Sequence, residues 1–241
     1  MKIVAIIPAR SGSKGLKNKN VKLLNGKPLL YWIINTAKKS KYIDRVICST
    51  DDVSYAKIAH ECGAEVPFLR PKEISLDSSV DIEFLTHAVH FLENFDNYRP
   101  DFILRLPPTS PFLSHASIDR AIEILIQDRT IDSVRAVTKV DKHPFKMWKF
   151  DTDGQCVVPF IDSEELGYPE AFNMGRQSLP EVYIQTGAME VLRYSTLMVQ
   201  KSMAGRRVFP LVVEDRVESL DIDDQLDFDF AEYIFKKMKE K

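Results

Sequence analysis

The chain has 241 residues, of which 44% are hydrophobic and 28% charged, so it is long enough to bury most of its unfolded surface in one globular domain. Its 33 basic and 35 acidic residues give a net charge of -2, which excludes an overall electrostatic attraction to nucleic acid or to an anionic membrane. The three cysteines match neither a disulfide framework nor the CxxC spacing of a zinc site. We therefore expect a soluble protein of the reducing, cytoplasmic compartment.

Strands and helices alternate along the first 140 residues. A β-branched run at 2–7 predicts a buried strand, and apolar residues at helical spacing predict a helix at 29–38. The alternation continues with strands at 45–50, 101–106 and 133–140, and with helices at 51–62, 80–92 and 114–126. This order predicts a doubly wound, mostly parallel α/β sheet. Ligands of such sheets bind beyond the carboxyl ends of the strands, where the loops after Ile7, Thr50 and Leu106 meet.

The alternation stops at about residue 141. From 141 to 183, prolines and glycines separate short strand-like runs at 145–150 and 155–160. We interpret 141–183 as an insertion into a single domain that spans 1–241, and an insertion of this size often makes a dimer contact; a long surface loop is the alternative. Strands at 186–192 and 207–213 and an amphipathic helix at 226–239 follow.

The loop after the first strand is basic and contains glycine. Residues 8–20 read PARSGSKGLKNKN. Gly12 and Gly15 allow backbone N–H groups to approach an anion, and the arginine and lysines supply compensating charge. The loop matches neither the Walker pattern nor the GxGxxG fingerprint. Its composition and its place after the first strand predict phosphate binding, with an ordinary solvated loop as the alternative.

Two aspartates, Asp221 and Asp223, stand two residues apart near the end of the sequence. Residues i and i+2 of an extended segment face the same side, so the two carboxylates would converge on one hard divalent cation. Mg²⁺ needs only one or two protein carboxylates when a nucleotide supplies the other oxygens. Capping of the final helix by Asp223 or Asp224 is the alternative.

Eight blocks of the sequence resemble, in order, those of the acylneuraminate cytidylyltransferases. Residues 7–15, IPARSGSKG, followed by Lys19 and Asn20, resemble the opening signature of that family. The later blocks are Ser49-Thr50-Asp51, Leu69-Arg70-Pro71 with Asp77-Ser78, Pro108-Thr109-Ser110-Pro111, His143-Pro144 with Lys146, Arg176-Gln177 with Leu179-Pro180, Gly187-Ala188 and Asp221-Ile222-Asp223. The resemblance covers nearly the whole chain. It implies a Rossmann-like nucleotidyltransferase fold whose protruding segment, 141–183, forms a homodimer.

The resemblance also implies a reaction and a set of site residues. The reaction transfers CMP from CTP to the anomeric hydroxyl of a nonulosonic keto-sugar acid, releases pyrophosphate and uses Mg²⁺. Matching residues would bind the nucleotide: Ala9, Arg10, Ser13, Lys14, Gly15, Lys19, Asn20, Arg70, Asp77, Ser78 and Ser79. The catalytic residues would be Arg10, Lys14, Lys19, Asp221 and Asp223, the two aspartates holding the metal. The acceptor would contact Thr109, Ser110, Lys146, Arg176 and Gln177.

The sequence departs from the family pattern at several of these blocks. Pro107 stands where many sialic acid members have Gln, Leu113 where they have Arg, and Asp81 where they have a small hydroxyl residue. Because buried polar groups dominate discrimination between substrates, these changes make legionaminate, pseudaminate or another nonulosonate an alternative to N-acetylneuraminate.

Two other functions agree with parts of the pattern. The Asp-Ile-Asp of residues 221–223 is also a DxD, which metal-dependent glycosyltransferases use to hold a nucleotide-sugar. A non-catalytic nucleotide-binding module is the second alternative. Neither accounts for all eight blocks.

Overall fold

The computed structural model describes residues 1–12 and 15–240. The chain forms two compact units: Met1–Val137 together with Gln185–Lys241, and Thr138–Ile184. Among the described residues, no helix is long and apolar enough to cross a membrane.

The described residues form ten strands and five α-helices. The strands are β1 (Ile3–Pro8), β2 (Leu23–Leu24), β3 (Lys27–Pro28), β4 (Arg45–Ser49), β5 (Phe102–Arg105), β6 (Ser133–Lys139), β7 (Trp148–Phe150), β8 (Val157–Pro159), β9 (Tyr183–Arg193) and β10 (Val208–Val212). The helices are α1 (Leu29–Lys39), α2 (Val53–Glu61), α3 (Asp81–Phe95), α4 (His115–Gln127) and α5 (Gln225–Lys239). A short π-helical turn, Ser195–Val199, follows β9.

The larger unit is built on a six-stranded sheet in the order β10-β6-β9-β5-β1-β4. Strand β1 is parallel to β4 and to β5, and β10 is parallel to β6, whereas β9 is antiparallel to β5. The predicted doubly wound, mostly parallel sheet is therefore confirmed. The carboxyl ends of β1 and β5 lie on the same edge of the sheet, as the predicted binding rim requires.

Helices cover both faces of this sheet because β1 alternates its side chains. Ile3, Ala5 and Ile7 pack in one core cluster with residues of α1, α2 and α4, and Val4 and Ile6 pack in a second cluster with residues of α3. All five side chains are fully buried. A run without polar residues is what a strand buried on both faces requires.

Local capping determines where the helices begin. Asp52 caps α2 by accepting from the N–H groups of Ser54 and Tyr55, and Ser114 caps α4 by accepting from the N–H of Ser117. Gly63, at φ +94°, follows α2 in the left-handed region that terminates helices. The predicted helices at 51–62 and 114–126 are confirmed with shifts of one or two residues at their ends.

The smaller unit, Thr138–Ile184, contains the β7–β8 hairpin and a small core of Phe145, Ala171 and Leu179. The strand predicted at 145–150 is wrong in its first half. Pro144 begins a 3-10 turn, and the His143 ring fixes this turn, since its Nδ1 accepts from the N–H of Phe145 at 3.1 Å. The strand starts only at Trp148. This bond to the backbone gives His143 a structural role in its loop.

Candidate active site

A cavity of about 630 Å³ opens at the edge of the sheet where β1 and β5 end. Its lining comes from the loop after β1, the segment before α3, the loop after β5 and the segment before α5. The lining residues are Pro8, Arg10, Gly15, Lys19, Asn20, Arg70, Ile74, Leu76, Asp77, Ser79, Asp81, Phe84, Arg105, Pro107, Pro108, Thr109, Asp221 and Asp223. Segments that are far apart in the sequence thus form one polar cavity.

Hydrogen bonds near both ends hold the loop after β1 in place. Ser11 donates to Asp51 from both its N–H, at 2.7 Å, and its hydroxyl, at 2.8 Å. The Asn20 side-chain amide is 6% exposed and donates to the carbonyl of Arg10 at 3.1 Å. These bonds tie Ser11 to Asp51 and Asn20 to Arg10, so the Arg10 and Lys19 side chains extend from a fixed base, which lowers the entropy lost when an anion binds.

Acidic side chains of the same cavity pair with its basic ones. The Arg10 guanidinium lies 2.8 Å from Asp77. The Lys19 ammonium lies 3.1 Å from Asp223 and donates to the carbonyl of Ile222 at 2.8 Å. These carboxylates hold the two cations in place before an anion arrives. A polyphosphate that enters must replace the carboxylates with its own oxygens.

Arg70 is buried at the floor of the cavity and is 5% exposed. It donates to the hydroxyl and the carbonyl of Ser49, at 3.0 and 2.6 Å, and its guanidinium lies over the ring of Phe84. Burial lowers the pKa of Arg70 to about 10, so it remains a cation at neutral pH. Among the described residues no carboxylate forms an ion pair with it, which leaves its charge available to a bound ligand.

Asp221 and Asp223 lie on the same side of their segment, while Ile222 between them is fully buried in a hydrophobic cluster. Among the described residues no donor reaches the buried Oδ1 of Asp221, and burial raises the pKa of this carboxyl. A partly buried carboxylate with one unpartnered oxygen, beside a second, exposed carboxylate, is a donor set that suits a hard divalent cation. The residues present therefore fit Mg²⁺.

Asp223 does not cap helix α5. Asp224 caps α5, since its carboxylate accepts from the N–H of Asp227 at 3.0 Å and the Asp227 carboxylate accepts from the N–H of Asp224. The Asp223 carboxylate contacts Lys19 instead. Asp224 therefore caps the final helix, as the alternative interpretation predicted for one of the two residues, whereas the carboxylate of Asp223 remains in the cavity.

Sequence analysis missed a buried charge cluster centred on Arg105. This arginine ends β5 and pairs with Asp81 at the start of α3 and, at 3.0 Å, with the buried Glu190 of β9. It also donates to the carbonyl of Gly187 at 2.9 Å. The available signal was that Arg105 and Glu190 each interrupt an apolar run, 102–106 and 187–192, because charged residues seldom lie in a core unless they are paired.

The predicted nucleotide and catalytic residues separate into three groups. Arg10, Gly15, Lys19, Asn20, Arg70, Asp77, Ser79, Asp221 and Asp223 line the cavity, as does Thr109 from the predicted acceptor set. Ala9 and Ser110 are fully buried and Ser78 is exposed, all three outside the lining. Ser13 and Lys14 lie outside the described residues.

The other predicted acceptor residues belong to the smaller unit. Arg176 and Gln177 line a separate cavity of about 450 Å³ within that unit. Arg176 donates to the carbonyl of Val140 at 2.8 Å, and the Lys146 ammonium donates to the carbonyls of Phe172 and Met174 at 3.1 and 2.7 Å. These bonds give Lys146 and Arg176 a structural task in their own unit, and their acceptor role stays a prediction.

The sheet, its covering helices and a polar cavity beyond the carboxyl ends of its strands define the class of α/β nucleotide-binding proteins. The solved structure of CMP:2-keto-3-deoxy-manno-octonic acid synthetase complexed with CTP has this fold: its TM-score is 0.71 at 14% identity, over 99% of this chain and 100% of that one. A likeness at this identity supports the fold alone.

Sequence comparison identifies the family. A family model described as cytidylyltransferase matches residues 4–147. The chain is 34% identical over 236 residues to an N-acylneuraminate cytidylyltransferase of Escherichia coli O18:K1:H7, covering 98% of this chain but only 52% of that protein. It is 30% identical over 240 residues to a CMP-N,N'-diacetyllegionaminic acid synthase of Legionella pneumophila, covering 100% of this chain and 99% of that protein. The chain belongs to the cytidylyltransferase family, and its resemblance to the acylneuraminate cytidylyltransferases is confirmed.

Proposed function

We propose that this chain transfers CMP from CTP to the anomeric hydroxyl of a nonulosonic acid and releases pyrophosphate. One observation carries the proposal: the loop after β1 and the acidic pair before α5 meet in the same cavity, where Lys19 lies 3.1 Å from Asp223. Family membership supports the cytidylyl part of the assignment. The chain spans about half the length of the Escherichia coli relative and nearly all of the Legionella relative.

The described residues supply positioning and charge for this reaction. The anomeric oxygen forms a bond to the α-phosphorus, the bond from that phosphorus to the β-bridging oxygen breaks, and the hydroxyl proton is released. Arg10 and Lys19 would neutralise the departing pyrophosphate after exchanging their carboxylate partners for phosphate oxygens. Arg70 would hold the nucleoside end of CTP, since its side chain is fixed on Ser49 and Phe84.

We propose Asp221 and Asp223 as the protein ligands of Mg²⁺. The unsatisfied buried oxygen of Asp221 and the nearby exposed carboxylate of Asp223 support this proposal. A divalent cation bound there supplies positive charge to the phosphate oxygens. Lys19 contacts Asp223 in this structure and would release this carboxylate to the cation when the nucleotide binds.

Product analysis tests the reaction. The purified chain is incubated with CTP, Mg²⁺ and, separately, N-acetylneuraminate, legionaminate, pseudaminate and 3-deoxy-octulosonate, and both pyrophosphate and product mass are followed. We expect pyrophosphate and a CMP-sugar with one of the first three acids. Binding of CTP without turnover of any acid would favour the non-catalytic module, and consumption of a nucleotide-sugar in place of CTP would favour the glycosyltransferase.

The Asp223→Asn variant tests the metal ligands. We expect turnover to be nearly abolished while the circular dichroism spectrum is unchanged, because the Asp223 side chain is exposed and does not cap α5. Asp229→Asn, an exposed change on the first turns of α5, is the matched control and should keep full activity. Undiminished turnover of Asp223→Asn would show that Asp223 is not a required metal ligand.

The proposal includes a homodimer that forms through the smaller unit. Its hairpin exposes Phe150 and Val157, which are directly paired across the two strands, at 71% and 52% of their surfaces, and adjacent exposed apolar side chains of this kind mark interaction surfaces. Phe150→Glu should convert the dimer to a monomer in sedimentation, and an unchanged mass would contradict a dimer formed through this hairpin.

The proposal also places the enzyme in the cytoplasm, where the free state of its three cysteines is stable.

A further inference from the structure

Helix α5 uses one face to pack against its own unit. Phe228 and Ala231 are buried there with Leu16 and Ile222, and Phe235 contacts the rings of Trp32 and Phe112 at centroid distances of 4.3 and 4.8 Å. This inner face supplies the apolar burial that an amphipathic surface helix needs.

A second apolar face runs along the outside of the same helix. Leu226, Phe230 and Tyr233, at positions i, i+4 and i+7, form this outer stripe, and they are 75%, 51% and 54% exposed. The rings of Phe230 and Tyr233 lie nearly parallel with centroids 6.5 Å apart. Single exposed apolar residues are normal on a protein surface. Three large ones in line on one helix face form a continuous apolar patch, which is not.

The charges of α5 are divided between its two halves. Its first half carries the acidic residues Asp227, Asp229 and Glu232, and its second half carries the basic residues Lys236, Lys237 and Lys239. Asp229 and Lys236 line the same cleft beside Tyr233. A helix with this division is complementary to an antiparallel copy of itself, because each acidic half then faces a basic half.

We propose that the outer stripe binds a second copy of this chain, with the two α5 helices antiparallel about a twofold axis. In a twofold contact the same patch serves both copies, so the patch must complement itself in charge and in shape. The charge division of α5 meets this condition. Phe230 would contact Tyr233 of the other copy, and Asp229 would face its Lys236.

The expected association is weak and depends on concentration. A single helix pair buries less surface than the roughly 1,600 Å² of a standard protein interface. The contact lies on the larger unit, so it is separate from the dimer proposed for the smaller unit and would assemble such dimers further.

Sedimentation velocity from low to high micromolar protein tests the stripe. For Phe230→Glu we expect about a twofold lower limiting mass than for the wild-type chain, with unchanged helical content. Met238→Glu is the matched control, since Met238 is 60% exposed on the same helix but away from the stripe, and its mass should equal that of the wild type. Equal masses for Phe230→Glu and the wild type at every concentration would overturn the proposal.

Charge exchange tests the antiparallel arrangement. Asp229→Lys and Lys236→Asp should each weaken association, and the double variant, which restores opposite charges across the twofold axis, should recover it. Because the substitutions change exposed residues, folding is not at risk. A double variant that associates less than either single variant would show that the stripe binds something other than an antiparallel copy, and would overturn the proposal.

Discussion

Gly15 brings the backbone of the loop after β1 close to the acidic segment. A Cβ atom placed on Gly15 would lie 2.6 Å from the carbonyl oxygen of Asp223. Gly15→Ala must therefore move Asp223 or the loop, and we expect kcat/KM to fall by about 10- to 100-fold, the effect of a displacement near 1 Å in an active site.

Steady-state kinetics and thermal melting measure this effect together. Gly175→Ala is the control, because Gly175 has an ordinary backbone conformation and an added Cβ would meet none of the described atoms within 4 Å. A Gly15→Ala enzyme as active as Gly175→Ala would mean that the loop moves aside without disturbing Asp223.

Asp221 should make the ligand-free protein less stable than it would be with a neutral side chain. Burial raises the pKa of Asp221 above its unfolded value, so the penalty is absent at low pH, appears as pH rises through the folded pKa and is complete near neutrality. We expect Asp221→Asn to raise the melting temperature at pH 7 by about 2–4 °C, equivalent to about 1 kcal/mol, while abolishing turnover.

Melting curves recorded with EDTA and without CTP test this prediction. The difference between Asp221→Asn and wild type should shrink as the pH is lowered toward 4. Asp223→Asn should show no such gain, because its side chain is 76% exposed. A lower melting temperature for Asp221→Asn at pH 7 would contradict the view that the buried oxygen lacks a partner.

At the scale of the elements, Arg105 connects β5, α3 and β9. Arg105→Met would leave Glu190, whose pKa burial raises, without its 3.0 Å partner and with only the more distant Arg135, at 3.9 Å. Breaking a buried pair in this way costs about 3–5 kcal/mol, and we expect a loss of that size in denaturant unfolding.

The double variant Arg105→Met/Glu190→Met should recover most of that loss, because it removes both buried charges. Lys41→Met, which breaks the surface pair between Lys41 and Glu123, should leave stability unchanged. A double variant no more stable than Arg105→Met would show that packing rather than charge fixes this cluster.

The sequence predicted the elements of the larger unit well because their periodicity and caps are local. Asp52 and Ser114 mark helix starts within three residues of the N–H groups they bind. The strand predicted at 145–150 was wrong because the bond between His143 and Phe145, which fixes a turn there, competes with the apolar pattern.

The site was predictable where its residues form local motifs and not where they meet across the fold. Residues 8–20 and 221–223 carry their chemistry in their spacing. The burial of Arg70 on Ser49, 21 residues earlier, depends on the sheet. Arg105 and Glu190 are 85 residues apart, and nothing local shows that they pair.

At the scale of the whole molecule, the three thiols report on different parts of the structure. Cys48 is fully buried in β4, and burial raises its pKa to about 12. Cys62 is partly buried, and burial raises its pKa as well. Cys156 is exposed in the smaller unit. Since the thiolate is the reactive form, we expect a chromogenic disulfide reagent to modify Cys156 first, Cys62 more slowly and Cys48 last.

Modification of Cys48 requires opening of the central sheet, so its rate measures the stability of the nucleotide-binding unit. A ligand that binds only the folded state lowers the open population by the factor 1 + [L]/Kd. CTP with Mg²⁺ should therefore slow the modification of Cys48 by this factor and leave the rate of Cys156 modification unchanged. Each thiol should give its own kinetic phase in the modification reaction. Cys156→Ser should remove only the fast phase, which identifies that phase with Cys156. If CTP slowed all three thiols equally, the two units would open together; if it slowed none, CTP would not bind to the larger unit.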